Sequence, residues 1–280
     1  ELQRSLVGSE MCIRDRGGNG APVYAQPVQQ PVYYAPVQPP KWADPARLEQ
    51  KELRRAASRL SFATMTSLPI QVLWTTLATL ILTVCGVNFM GPNTIGGFPP
   101  TAYYLISSIA SFLSIVLPFS FFLFFGKRKL SDTVLVEKNG VLNSVLLVFA
   151  GLAVSVLMNI PANLISQLLE GAGLNGDANT ADLLAMTPVQ ALTMFVSVVL
   201  VAPVTEEFAF RSVTTAVMRR WGDWPAVIFS ALIFGMAHYS IQSLPVVLMA
   251  GFVMALLYVR TRNIWVNIFV HMLNLSLIHI

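Results

Sequence analysis

Charge is scarce in this 280-residue chain: Asp, Glu, Lys and Arg make up 11% of it, against about 25% in an ordinary soluble domain. Hydrophobic residues make up 55%, and the mean hydropathy is +0.63. These values exclude a typical soluble domain. They predict an integral membrane protein, an all-α polytopic bundle of transmembrane helices.

Cysteine is also scarce, with only Cys12 and Cys85 in the sequence. Two cysteines cannot form a disulfide framework. Cys12 lies in the opening segment 1–16, which resembles translated sequencing-library adapter, as does the closing segment 275–280. We interpret both ends as non-native, which would cut the last span short.

Seven apolar segments approach the roughly 20 residues that are needed to cross a bilayer. They cover 68–90, 103–125, 141–160, 189–205 and onward, 226–239, 244–259, and 264 to the end. We divide the native part of the chain into a disordered Pro- and Gln-rich tail (17–46), a basic juxtamembrane helix (47–67), N-terminal transmembrane helices (68–187) and a C-terminal group of helices (188–274).

Lys and Arg are absent from every second connection between these segments, 91–102, 161–188 and 239–243. The other connections carry them, at Arg54, Arg55, Arg59, Lys127, Arg128, Lys129, Arg219, Arg220, Arg260 and Arg262. Cytoplasmic loops collect Lys and Arg near membrane ends, so the N-terminus is predicted to be cytoplasmic. The net charge of +4 follows from this bias, and we predict no nucleic-acid partner.

Three ionisable side chains lie deep inside the apolar segments, although a charge at a helix centre costs about 2.5 kcal/mol or more. Glu206, His238 and His271 lie 14, 13 and 9 residues from the predicted cytoplasmic ends of their helices. At the helical rise these are depths of about 21, 20 and 14 Å. Three helices thus bring one carboxylate and two imidazoles to similar depths, which predicts a single site.

Glu207 and Arg211 are predicted to have a different role from Glu206. Neighbouring residues on a helix point about 100° apart, whereas residues four apart share a face. A buried Arg needs an acidic partner. We therefore predict an architectural ion pair between Glu207 and Arg211, which leaves Glu206 facing the histidines.

Two mechanisms fit a carboxylate and two histidines. Glu206 and His238 could activate a water while His271 and a nearby amide stabilise the oxyanion. Alternatively, the same three side chains could be the ligands of a catalytic zinc ion. The sequence contains neither HExxH nor GxSxG. Both mechanisms predict amide hydrolysis with water admitted from the cytoplasmic side.

The motifs resemble those of the CPBP family, the type II CAAX prenyl endopeptidases and their bacterial relatives in bacteriocin handling and abortive infection. The matching patterns, within Pro188–Asn274, are Pro203-x-x-Glu206-Glu207-x-x-x-Arg211, Phe234-x-x-x-His238, Tyr258-x-Arg260-Thr261 and His271. The resemblance implies an intramembrane endopeptidase with Glu206, His238 and His271 at the catalytic centre and Phe234 packed against it. It leaves both a zinc and a metal-free mechanism open.

The third motif departs from the family pattern, which has Asn four residues after the histidine. That position is Leu275 here, in the closing segment, and Asn274 comes one residue earlier. Asn274 is expected to support the oxyanion only in part, so the chain as given could be inactive even if its parent is active.

Two other function classes compete with a protease of membrane-associated, prenylated or peptide substrates in a bacterial plasma membrane. One is a non-catalytic bacteriocin-immunity or scaffold protein of the same fold. The other is a transporter with a proton relay, which would normally show internal repeats or paired broken helices. We find no such repeats in the sequence.

Overall fold

A computed structural model describes residues 44–87, 94–95, 97–174 and 186–279; segment 1–16 and nearly all of the predicted tail lie outside these residues. The described part contains eight helices of more than ten residues, besides the short 3-10 helix Leu130–Asp132. They are α1 (Pro45–Met65), α2 (Ser67–Val84), α3 (Pro100–Phe125), α4 (Val141–Gly171), α5 (Pro188–Trp221), α6 (Asp223–Met236), α7 (Leu244–Thr261) and α8 (Ile264–His279).

Five helical segments are long and apolar enough to cross a membrane. They are Pro45–Val84, Pro100–Phe125, Val141–Gly171, Pro188–Trp221 and Leu244–Thr261, while α6 and α8 are shorter apolar helices. All seven predicted apolar segments therefore contain a helix, and the predicted helical membrane bundle is confirmed.

Several helices differ from the predicted boundaries, two of them before α5. The basic helix and the first span are separated only by Thr66, whose backbone stays in the right-handed helical region and whose hydroxyl donates to the Ala63 carbonyl. The third span does not end at Ile160, because α4 continues through Pro161 to Gly171. Proline keeps a helical φ and removes one backbone hydrogen bond, a loss that transmembrane helices tolerate.

The basic connections lie together at one end of the bundle. Arg220 pairs with Glu52 at 2.6 Å, which joins the end of α5 to α1. The loop after α3 reaches the turn between α7 and α8, where Arg262 pairs with Glu137 at 3.0 Å. The same loop is fixed deeper in the bundle by Tyr258, whose hydroxyl donates to the Thr133 carbonyl. We refer to this as the basic end; that it faces the cytoplasm stays a prediction.

The main core forms where α5, α6 and α7 meet α1 and α3. Phe210 of α5 packs edge-on against both Phe119 and Phe234, at ring distances of 5.7 and 5.3 Å. Gly251 of α7 allows close approach, since a Cβ there would lie 2.8 Å from Phe234. This packing fixes Phe234 beside the predicted site.

Candidate active site

Helix α5 carries the acidic motif and changes its winding there. Residues Phe195–Val201 and Glu207–Thr215 are π-helical, and the short α-helical stretch Ala202–Glu206 lies between them. Hydroxyls reinforce the wider turn, because Thr214 donates to the carbonyl of Ala209, five residues earlier. Single π turns inside α-helices occur often at functional sites. This winding, which was not predicted, rotates the residues after Glu206 relative to those before it.

Glu207 is fully buried and is the centre of a polar cluster. Its carboxylate lies 3.3 Å from Arg211 Nε, so the predicted contact is present. The same carboxylate accepts hydrogen bonds from His271 Nδ1 at 2.9 Å and from Asn267 Nδ2 at 3.3 Å. Asn267 also donates to the carbonyl of Met254 at 2.6 Å. Glu207 therefore ties α5 to α8 and, through Asn267, to α7.

Arg211 is also fully buried, and its positive charge is stabilised by a carboxylate and an aromatic ring. Its guanidinium carbon lies 4.1 Å from the centre of the Phe234 ring. Within the described residues its nitrogens have no hydrogen-bond partner of good geometry. The cation is thus compensated by Glu207 and by the negative face of Phe234.

Glu206 and His238 line one small cavity of about 160 Å³. The cavity is polar on several sides, and its other lining residues include Ser67, Gln71, Ser111, Ser114 and Tyr239. A polar cavity of this size has room for a few water molecules. The two side chains that were predicted to activate water therefore face a common space.

The predicted span 226–239 placed His238 within a helix. In the structure His238 lies just beyond the end of helix α6. Helix α6 ends at Met236, and Tyr239 adopts a left-handed backbone with φ 50°. The Tyr239 hydroxyl lies 2.7 Å from Ser67 Oγ, which fixes this turn against α2. The polar sequence that follows, up to the Pro near the start of α7, explains the early end of α6.

The ring of His238 has a defined orientation. Its Nδ1 lies 2.8 Å from the carbonyl of Phe234. A carbonyl can only accept, so Nδ1 carries the proton and donates. In the neutral ring Nε2 is then an acceptor. The Phe234 ring packs against that of His238 at 4.8 Å, which further restricts it.

His271 lies between the two glutamates. With Nδ1 donating to Glu207, its Nε2 lies 3.7 Å from a carboxylate oxygen of Glu206. His271 is buried and does not line the cavity that Glu206 shares with His238. The structure thus brings all three predicted residues together, with Glu206 in the middle.

Among the described residues, no group of three or more His, Cys, Asp or Glu side chains is arranged to hold a metal ion. The contacts explain this result for the predicted ligands. Both nitrogens of His271 face carboxylates, and Nδ1 of His238 faces a carbonyl. As arranged, Glu206, His238 and His271 do not form a three-ligand site, and zinc stays a prediction.

Asn274 is buried in α8, one turn after His271. Helix α8 continues without a break to His279, so residues of the closing segment extend the helix. Asn267, four residues before His271, was not among the predicted site residues. The i, i+4 spacing that predicted the Glu207–Arg211 pair could have indicated that Asn267 and His271 share a face.

Two comparisons with known proteins find a match. Residues 188–277 match a family model described as "Type II CAAX prenyl endopeptidase Rce1-like". The chain is 30% identical over 138 residues to the Bacillus subtilis (strain 168) protein named "Putative membrane peptidase YdiL". That alignment covers 49% of this chain and 56% of the relative, so the chain spans about half the length of the curated relative it matches. No solved structure matches. The match of residues 188–277 confirms the family resemblance that the motifs indicated.

Proposed function

We propose that this integral membrane protein is an intramembrane endopeptidase that hydrolyses a peptide bond in a membrane-associated peptide or protein, which can be prenylated. The observation that carries the proposal is the shared cavity of Glu206 and His238, with His271 against Glu206. Ionisable groups at this depth are rare without a functional reason. The family match of residues 188–277 supports the same reaction class.

The proposed reaction begins with a water molecule held between Glu206 and Nε2 of His238. Nε2 accepts one hydrogen bond from the water, and Glu206 removes the other proton as the oxygen attacks the peptide carbonyl carbon. The tetrahedral intermediate collapses when the C–N bond breaks. The departing nitrogen takes the proton back from Glu206, which returns the carboxylate to its starting state.

The residues behind Glu206 position it and stabilise charge. Glu207 holds Nδ1 of His271 and so fixes the direction of Nε2 toward Glu206. For His271 to stabilise the oxyanion, with Asn274 as the nearby amide, its Nε2 has to turn from Glu206 toward the cavity. Arg211 and Asn267 hold Glu207, and their role in the proposal is to keep this arrangement in place.

Zinc is kept as an alternative that the same residues would serve. If the metal binds, Glu206, His238 and His271 would be its ligands after rearrangement, and it would supply an activated water. A test of whether cleavage depends on a metal distinguishes the zinc mechanism from the metal-free one.

We further propose that the protein resides in a bacterial plasma membrane with its N-terminus in the cytoplasm. The gathering of the basic connections at one end of the bundle supports this orientation. Cytoplasmic loops carry the excess of Lys and Arg. Reporter fusions at both ends of α4 would test the orientation.

The decisive experiment is cleavage in proteoliposomes. Wild-type protein and Glu206→Gln are incubated with a membrane-protein extract and with an internally quenched farnesylated peptide, and new N-termini are identified by mass spectrometry. We expect wild type to generate new termini and Glu206→Gln to lose about 10² to 10⁴ of the rate. A chelator arm, with zinc added back, tests the metal.

Glu170→Gln is the matched control, because Glu170 is an exposed carboxylate at the end of α4, away from the cavity. It should cleave like wild type. Equal cleavage by Glu206→Gln and wild type would contradict the proposal. A cellular phenotype that survives Glu206→Gln would instead indicate a non-catalytic immunity or scaffold role.

A further inference from the structure

A large open groove lies at the basic end, away from the active-site cavity. It runs between α1, α3 and the end of α5, and its volume is about 1000 Å³. We call it the α1–α3 groove. Its apolar lining includes Phe62, Leu117, Phe121, Phe122, Phe125 and Trp221. Much of this surface is uncovered, since Phe62 is 70% and Phe125 77% exposed.

Arginines line the same groove. Arg55, Arg59 and Arg128 are exposed, and none has an ionic partner within the described ranges of the chain. Arg220 also lines the groove, where it is paired with Glu52, the one acid among the described lining residues. The groove therefore combines an apolar wall with three uncompensated positive charges.

The groove is separate from the proposed catalytic cavity, although both use α1. Ala63 and Thr66 line the groove, whereas Thr64 and Ser67 line the cavity with Glu206. Adjacent residues on a helix point about 100° apart, so the two sites occupy different faces of the same segment. A ligand in the groove does not need the catalytic residues.

We propose that the α1–α3 groove binds one anionic phospholipid. Its acyl chain lies along the phenylalanines, and its phosphate contacts Arg55, Arg59 and Arg128. Charge complementarity selects an anionic over a zwitterionic lipid, because the described lining carries three unpaired arginines and no unpaired acid. Basic residues at a cytoplasmic membrane surface attract anionic lipid. The predicted orientation puts the groove in that leaflet.

Native mass spectrometry of the full chain in neutral detergent tests this proposal. The probes are equimolar dioleoyl phosphatidylglycerol and dioleoyl phosphatidylcholine. We expect one phosphatidylglycerol to be retained preferentially, and Arg55→Ala to weaken its binding about five-fold. Ser58→Trp, which inserts a bulky ring at an exposed lining position, should reduce binding of the acyl chain.

Arg54→Ala is the matched control, because Arg54 is the exposed neighbour of Arg55 and does not line the groove. It should retain the lipid. Photo-crosslinking of wild-type protein with an acyl-labelled phosphatidylglycerol avoids any folding defect of the variants. The labelled peptides should contain Phe62 and Phe121 to Phe125.

Four results would overturn the proposal. One is equal retention of the two lipids, and a second is an equal loss of binding in Arg54→Ala and Arg55→Ala. A third is crosslinking outside the groove. The fourth is displacement of the phospholipid by a farnesylated peptide at equal stoichiometry, which would make the occupant the lipid chain of a substrate.

Discussion

Helix α7 and the outer helices, α4 and Pro45–Val84, are similarly apolar in sequence, but their apolar side chains lie in different surroundings. In α7, 50% of the most apolar window is buried inside the protein, whereas only 11% is buried in α4 and in Pro45–Val84. Leu73 and Leu168 in the second group are more than 70% exposed. The exposed apolar side chains of α4 and Pro45–Val84 are suited to contact lipid. The apolar side chains around α5 to α8 instead keep lipid and water away from the buried charges. Substitutions should therefore have strong effects in one region and weak effects in the other.

The largest expected effect is on stability, from Arg211→Ala. Both members of the Glu207–Arg211 pair are fully buried, and removing one member leaves an uncompensated charge. We expect a loss of about 3 to 5 kcal/mol in the free energy of unfolding, measured by denaturation in detergent micelles.

The double variant Glu207→Leu/Arg211→Met separates charge from packing. It removes both charges and keeps side chains of similar volume. It should therefore be more stable than a variant that loses only one of the two charged residues. A double variant less stable than Arg211→Ala would show that the pair is not the source of the effect.

A second prediction concerns activity alone. His238 lies in the turn after α6 and is not part of the buried cluster around Glu207. We expect His238→Asn to reduce cleavage about 100-fold or more while the melting temperature in micelles stays that of wild type. A parallel loss of stability and activity would indicate a packing role for this residue.

Gly251→Ala tests close packing in the same region. A Cβ at this position would lie 2.8 Å from Phe234, the residue that contacts both Arg211 and His238. Overpacking of this kind costs about 1 to 3 kcal/mol. Gly171→Ala at the end of α4 is the control, since a Cβ there meets nothing within 4 Å. Similar melting temperatures for the two variants would contradict the packing argument.

The smallest effect is expected at the lipid-facing surface. Leu157 of α4 is 59% exposed, and Leu157→Ala should change the unfolding free energy by less than about 0.5 kcal/mol. A loss comparable to that of Gly251→Ala would mean that another protein surface, and not lipid, covers α4.

The sequence predicted the fold class and the grouping of the site because both follow from local rules. Hydropathy gave seven apolar segments, and residue counts from their ends gave similar depths for Glu206, His238 and His271. The four-residue spacing predicted the contact between Glu207 and Arg211. The family indicated by the motifs is confirmed over residues 188–277.

The remaining details depend on contacts between residues far apart in the chain. The placement of the turn after α6 against α2 depends on Tyr239 reaching Ser67, 172 residues away. The role of Asn267 depends on Glu207, 60 residues away, and on Met254. The loop after α3 is fixed by Tyr258. Neither composition nor helical periodicity carries information on such partners.

The π-helical stretch Glu207–Thr215 has a consequence for chain length. A π turn holds more residues than an α turn over the same axial distance. Helix α5 therefore has more residues between Glu206 and its arginine-rich end than an α-helix of the same length would need. If one residue within 208–210 were deleted, this stretch would change from π-helical to α-helical winding. Both ends of α5 would then keep their positions. The same deletion in the regular winding of α7 would shift the register of everything after it.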